Sequence, residues 1–153
     1  MAAVSTAAVR QRFASRVASL SGWTLSSVPF DLLAPSAVPD AIPASIAHQC
    51  FAVRVSPTED THGRRSTARE GALVSSDVRV RFLFRVAPKD QVASEDGAHN
   101  AAHVLAKSLM AQDASWPFDL KLSWESQELT LPAPGEWFSG ELRFSVLHLL
   151  ALS

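Results

Sequence analysis

The sequence predicts an α+β fold, a mainly antiparallel sheet of about four to five strands with two helices packed on one face. Three observations lead there. Residues 78–86 place Val78, Val80, Phe82, Phe84 and Val86 on one side and Arg79, Arg81, Leu83 and Arg85 on the other, the two-residue period of a strand that is buried on one face. Two segments, 6–20 and 95–111, instead repeat apolar residues at helical spacing. Strand-like alternation then returns at 46–55, 120–125 and 141–146, between proline-rich or polar connections.

In chain order, the first helix spans 6–20 with Val9, Phe13, Val17 and Leu20 on its apolar stripe. Ser5 or Thr6 caps its start, and Ser21-Gly22 ends it, because glycine accepts the left-handed conformation. Between 23 and 43, Pro29, Pro35, Pro39 and Pro43 remove backbone donors and disfavour helix before them, so an extended connection with a short strand at 23–26 is expected. Strand character resumes at 46–55, with Phe51, Val53 and Val55 on one side and Ala52 and Arg54 on the other. The polar run 56–71 is expected to be a mobile loop. The long strand 72–86 follows and is broken at Ala87-Pro88-Lys89-Asp90. Ser94 with Glu95 and Asp96 suits the positive end of a second helix, 95–111, whose stripe is Ala98, Ala101, Ala102, Leu105 and Leu109. Leu120, Leu122 and Trp124 then alternate with Lys121, Ser123 and Glu125, and Leu142, Phe144 and Val146 with Glu141, Arg143 and Ser145. Pro132-Ala133-Pro134-Gly135 turns the chain between these two strands.

Composition bounds the function. A chain of 153 residues fits one domain, 1–153, able to bury roughly two thirds of its unfolded surface without a covalent staple. With 47% hydrophobic and 19% charged residues it is ordinary globular material, and its net charge of -1 gives no global attraction to nucleic acid or an anionic membrane. Cys50 is the only cysteine, which excludes an intramolecular disulfide, a four-cysteine zinc site and a two-cysteine redox motif. Arg10, Gln11, Arg12 and Arg16 interrupt the alanine-rich start, so it lacks the apolar run of an export signal or membrane span, and a cytoplasmic product with no membrane partner is expected.

Candidate functional residues are mostly basic. Arg54, Arg79, Arg81, Arg85, Lys121 and Arg143 fall on the outer side of the sheet, either as a partner or lumen surface or as charges that keep an exposed sheet soluble. Arg64, Arg65 and Arg69 in the polar loop are a candidate assembly contact or a solvated charged loop. His99 and His103 stand four apart with Asp96 one turn earlier, a spacing a metal can use. No glutamate follows the first histidine and no third strong ligand is assigned, so a solvated or interface histidine pair is the plainer reading. Trp23, Trp116, Trp124 and Trp137 suggest either a stacking platform for bases or sugars or, since they sit at strand ends and turns, side chains that close the rim of a core or meet a subunit, which is the plainer reading. Gly63, Gly71, Gly97 and Gly135 are isolated, so neither a phosphate loop nor a nucleophile elbow is present. No catalytic residue and no cofactor is assigned.

This layout resembles the small tail-terminator or tail-completion proteins of long-tailed bacteriophages, found also in prophages and gene transfer agents. The resemblance is carried by the N-terminal helix 6–20, the proline-broken approach to His48-Gln49-Cys50-Phe51-Ala52-Val53-Arg54-Val55, and the polar loop through Gly63-Arg64-Arg65. It continues through the strand ending Val80-Arg81-Phe82-Leu83-Phe84-Arg85-Val86, the alanine-rich helix 97–110 and the closing hairpin ending Leu142-Arg143-Phe144-Ser145-Val146. It covers nearly the whole chain and contains no catalytic or metal motif. The proline-rich connection 29–43 departs from many relatives. What the resemblance implies is a structural virion protein, assembled in the host cytoplasm, that forms a ring, commonly a hexamer, at the head-proximal end of the tail. Such a ring sits on the last disc of tail-tube protein, stops tube growth and presents a joint to the neck or head-completion protein; in it the arginine face is expected either to border a lumen through which DNA passes or to pair with acidic neighbouring subunits. A head–tail connector is the nearest alternative. From other classes, the alternatives are a small metal-dependent hydrolase using Asp96, His99 and His103, or a nucleic-acid-binding module using the arginine face.

Overall fold

The computed structural model describes residues 5–27, 42–57, 72–111, 122–131 and 135–150. Its centre is a pair of long strands rich in Val, Phe and Leu, β3 (Ala72–Arg85) and β5 (Trp137–Leu150), which run antiparallel from Ala72↔Leu150 to Arg85↔Trp137. On one flank β2 (Cys50–Pro57) pairs antiparallel with β3, and the two-residue β1 (Thr24–Leu25) joins β2 in parallel. On the other flank β4 (Leu122–Thr130) pairs antiparallel with β5. The strand order β1-β2-β3-β5-β4 is the five-stranded, mainly antiparallel sheet expected for this α+β chain. The last two strands are longer than the alternation at 120–125 and 141–146 indicates. In β4 the period fails after Trp124, where a register shift between Trp124 and Ser126 leaves Glu125 as an extra residue and moves later side chains to the opposite face.

Helix α1 (Thr6–Ala18) begins where Ser5 accepts the Ala8 N–H and ends two residues before the expected 20, with the Ser19 N–H closing its ladder. Gly22 then turns the chain with a φ of +87°. Where the sequence suggests strand from 46, the chain forms a short turn of helix, α2 (Ala44–Ala47), at whose start the Pro43 carbonyl accepts the Ile46 N–H; β2 begins only at Cys50. Helix α3 (Gln91–Met110) starts four residues before the expected 95. Asp90, not Ser94, is its cap: the Asp90 carboxylate accepts the Ala93 N–H, while Ser94 is buried in the first turn, where it accepts the Ala87 N–H and donates to the Asp90 carbonyl. Asp90 reads as part of a strand-breaking tetrad in the sequence, and the same residue both ends one element and starts the next.

Both long helices lie on one face of the sheet, α1 over β2 and β1 and α3 over β4 and β5. Val9, Phe13 and Val17 from α1 and Ala102, Leu105 and Leu109 from α3 meet Phe51, Val53, Val78, Val80, Phe82, Leu142, Phe144 and Val146 of the sheet. The alanines of α3 let it approach closely, and two glycines do the same for aromatic rings. Gly140 lies opposite Phe82 in the register, and a Cβ there collides with the Phe82 ring. A Cβ on Gly97 comes within 2.9 Å of the Phe84 ring.

The sheet is not one-sided along its whole length. At one end of the outer face, Ile42, Ala47, Cys50, Ala52, Leu83 and Trp137 form a second buried cluster beneath α2. Leu83, which the alternation places among outward arginines, is fully buried there. The exception in the polar register, a leucine between Arg81 and Arg85, marks the place where the outer face is covered.

Candidate assembly surface

Alternation along β2, β3 and β5 turns Arg54, Arg79, Arg81 and Arg143 to the side away from α1 and α3. Pairing then sets three of them in one row across the strands, Arg54 opposite Arg79 and Arg79 opposite Arg143. Like charges directly opposite each other destabilise a sheet. Asp77 answers this: its Oδ2 accepts from Arg79 Nε and from Arg143 Nη2, both at 3.2 Å. Glu141 lies between the next pair, 3.8 Å from Arg79 Nε and 3.7 Å from Arg81 Nη2. The middle of the outer face is therefore an interleaved lattice of both signs rather than a uniformly cationic sheet. Beside it, Ser75, Asp77, Glu125, Ser126, Arg143 and Ser145 line a shallow cleft of about 460 Å³, in which the Ser75 and Ser145 hydroxyls are hydrogen-bonded at 2.9 Å.

Arg85 belongs to a different neighbourhood, at the end of β3. Its guanidinium stands 6.0 Å from the Trp137 ring centroid, and its backbone N–H donates to His48 Nδ1 at 3.2 Å. The His48 ring meets Phe84 edge-on at 4.6 Å. Partial burial of His48 holds its pKa below the ordinary 6.5, and the nearby Arg85 charge pushes the same way against a hydrogen bond to the Gln49 side chain that favours protonation. Gln49 takes a φ of +55°, in the left-handed region. Two hydrogen bonds hold it there: its N–H donates to the Leu83 carbonyl at 2.7 Å, and its carbonyl accepts the Thr24 N–H at 3.2 Å. This one residue thus ties β1, β2 and β3 together.

Of the remaining candidates, Arg64, Arg65, Arg69, Lys121 and Trp116 lie outside the described residues, as do most of the proline-rich connection and the polar loop. His99 lies 3.7 Å from Glu95, one turn before it on α3, and His103 is exposed. Among the described residues no group of three or more His, Cys, Asp and Glu side chains is placed to hold a metal ion. Cys50 is buried in β2, and burial pushes its thiol above the ordinary value, with a hydrogen bond from Ser26 acting in the opposite sense. Trp23 and Trp137 are buried at the rims of the two clusters, whereas Trp124 is half-exposed on the edge strand β4. No described helix is long and apolar enough to cross a membrane.

One polar pair has no counterpart in the sequence reading. Ser76 Oγ and His148 Nε2 are 2.6 Å apart on the helix-covered face, and both side chains are buried. A serine and a histidine 72 residues apart become neighbours only through the β3–β5 register, so local sequence carries no signal for them. Closed off from solvent, they act as a satisfied hydrogen bond within the apolar layer.

The chain matches no protein-family model and no curated protein. Among solved structures it is similar to a chain of the virion of a native gene transfer agent particle, with a TM-score of 0.62 and 12% sequence identity. The likeness covers 94% of this chain and 97% of that one. At this identity the likeness is one of fold.

Proposed function

We propose that this protein is a non-enzymatic structural component of a virion or phage-derived particle, acting as a ring at the head-proximal end of the tail tube. The observation that carries the reading is the end-to-end likeness to a chain of a gene transfer agent virion, in which the two chains have nearly the same extent. The outer face supports it by its chemistry. Arginines interleaved with Asp77 and Glu141 suit a protein surface that presents both signs, such as the tail-tube disc, a neck protein or another copy of this chain, better than they suit a polyphosphate. In this reading the ring caps the tube, halts its growth and offers the next surface to the neck, and no step needs a cofactor.

The test is mass by light scattering across a concentration series, with negative-stain images, alone and with tail-tube protein undergoing polymerisation. Closed rings of about six copies and tubes that stop at a capped end are the expected result. Tubes that lengthen unchanged in its presence sink the terminator role.

A further inference from the structure

The two lateral sides of the molecule carry opposite charge. On one side α1 lies over β1 and β2; α1 contributes the exposed Arg10, β2 contributes the exposed Arg54, and neither element contains an acid, while Arg16 of α1 turns toward α3 and donates to the Ser108 carbonyl. On the other side α3 packs against β4, where Glu95, Asp96, Glu125 and Glu128 outnumber the lone Lys107. Exposed apolar side chains mark the same two sides. Leu25 on β1 is 44% exposed, Trp124 on β4 is 50% exposed, and Leu131 just beyond β4 is 43% exposed. Both sides are also sheet edges among the described residues: β1 covers only Cys50 and Phe51 of β2, and β4 ends the strand order.

An exposed edge strand is usually protected against pairing by charge of its own sign. Here one edge is basic and the other acidic, so two copies meeting through the same edge repel, while unlike edges attract. We propose that the occupant of each edge is a second copy of this chain, the α3–β4 side of one subunit seated against the α1–β2 side of the next. Glu125 and Glu128 face the basic side, and Trp124 and Leu131 cover the apolar surface around Leu25. The contact is heterologous: two joined copies still present one unused surface of each kind, so the arrangement repeats until it closes into a ring. This inference rests on the ring reading above and names the surfaces that build it.

The experiment compares wild type with two variants, E125R/E128R on the acidic side and R10E/R54E on the basic side. All substituted positions are exposed, and circular dichroism and thermal unfolding verify that both variants fold. In light scattering and negative stain, wild type forms rings. Each variant alone falls to monomer, with its half-assembly concentration raised by about tenfold or more. Mixing the two variants, or combining all four substitutions in one chain, restores rings because the charges are again unlike. Rings unchanged in both variants overturn the edge contact and leave the ring reading standing. Variants that stay monomeric and are not rescued by mixing overturn the charge pairing. A wild-type chain that remains monomeric at every concentration and on tube ends overturns both.

Discussion

The two faces of the sheet solve burial differently. Under α1 and α3 the face is apolar along most of its length, and phenylalanines, valines and leucines from six elements share one cluster. On the outer face, apolar burial among the described residues centres on the six-residue patch at the Gln49 end, and an ion-paired lattice centred on Asp77 and Glu141 occupies the middle. The contrast teaches that alternation identifies which residues share a side but not which side is covered. Leu83 and Arg81 share a face, yet one is fully buried and the other only partly.

Substitutions on the two faces sharpen this contrast. The largest effect is expected under the helices: Phe82→Ala removes a fully buried ring and costs about 3–5 kcal/mol in chemical denaturation. Leu83→Ala tests whether the small outer cluster is a true core. A loss of about 2–5 kcal/mol is expected, whereas a loss as small as that of a surface site returns Leu83 to the solvated face. Gly140→Ala inserts a Cβ into the Phe82 ring and costs about 1–3 kcal/mol through overpacking; an unchanged midpoint means that the ring has room to move.

Weaker effects belong to the charged lattice. Asp77→Asn leaves Arg79 and Arg143 opposite each other without their shared carboxylate. Because both arginine side chains are well exposed, at 40% and 45%, the cost is below about 1 kcal/mol and shrinks further in high salt. A larger, salt-insensitive loss contradicts a solvent-screened network.

His48 gives the smallest effect, with a definite sign. Its folded-state pKa lies below the ordinary 6.5, so above that pH it is neutral whether folded or unfolded and no stability is lost through it. As pH falls from 6.5 toward the folded value, the unfolded chain takes up the proton first and the native state is disfavoured. Protonation of Nδ1 also removes the acceptor for the Arg85 N–H. The difference in Tm between wild type and His48→Gln is therefore expected to change between about pH 7.5 and about pH 5. A constant difference removes His48 from the pH response.

Much of this architecture is legible in the residues. The periods of 2.0 and 3.6 locate α1, α3, β2 and β3 because their apolar residues lie on continuous stripes. Where that period breaks, local reading loses ground. The bulge at Glu125 inverts the faces of β4, a turn of helix follows Pro43 where strand is expected, and Asp90 outcompetes Ser94 as a cap because its carboxylate reaches the Ala93 N–H. The arginines of the candidate surface are visible as a pattern in the sequence. Their partners are not, since Asp77 lies 66 residues from Arg143 and only the β3–β5 register brings them together.

The sequence by itself determined the α+β class, the helix-facing stripes and the side of each strand on which an arginine falls, because these depend on the geometry of a few consecutive residues. Only the tertiary structure decided strand order, the buried patch around Leu83, the Ser76–His148 pair and the neutralisation of the arginine row, because each joins residues from separate elements. The opposed charges of α1–β2 and α3–β4 combine both levels. Their signs are written in four short segments, and the fold carries them to opposite edges of one sheet.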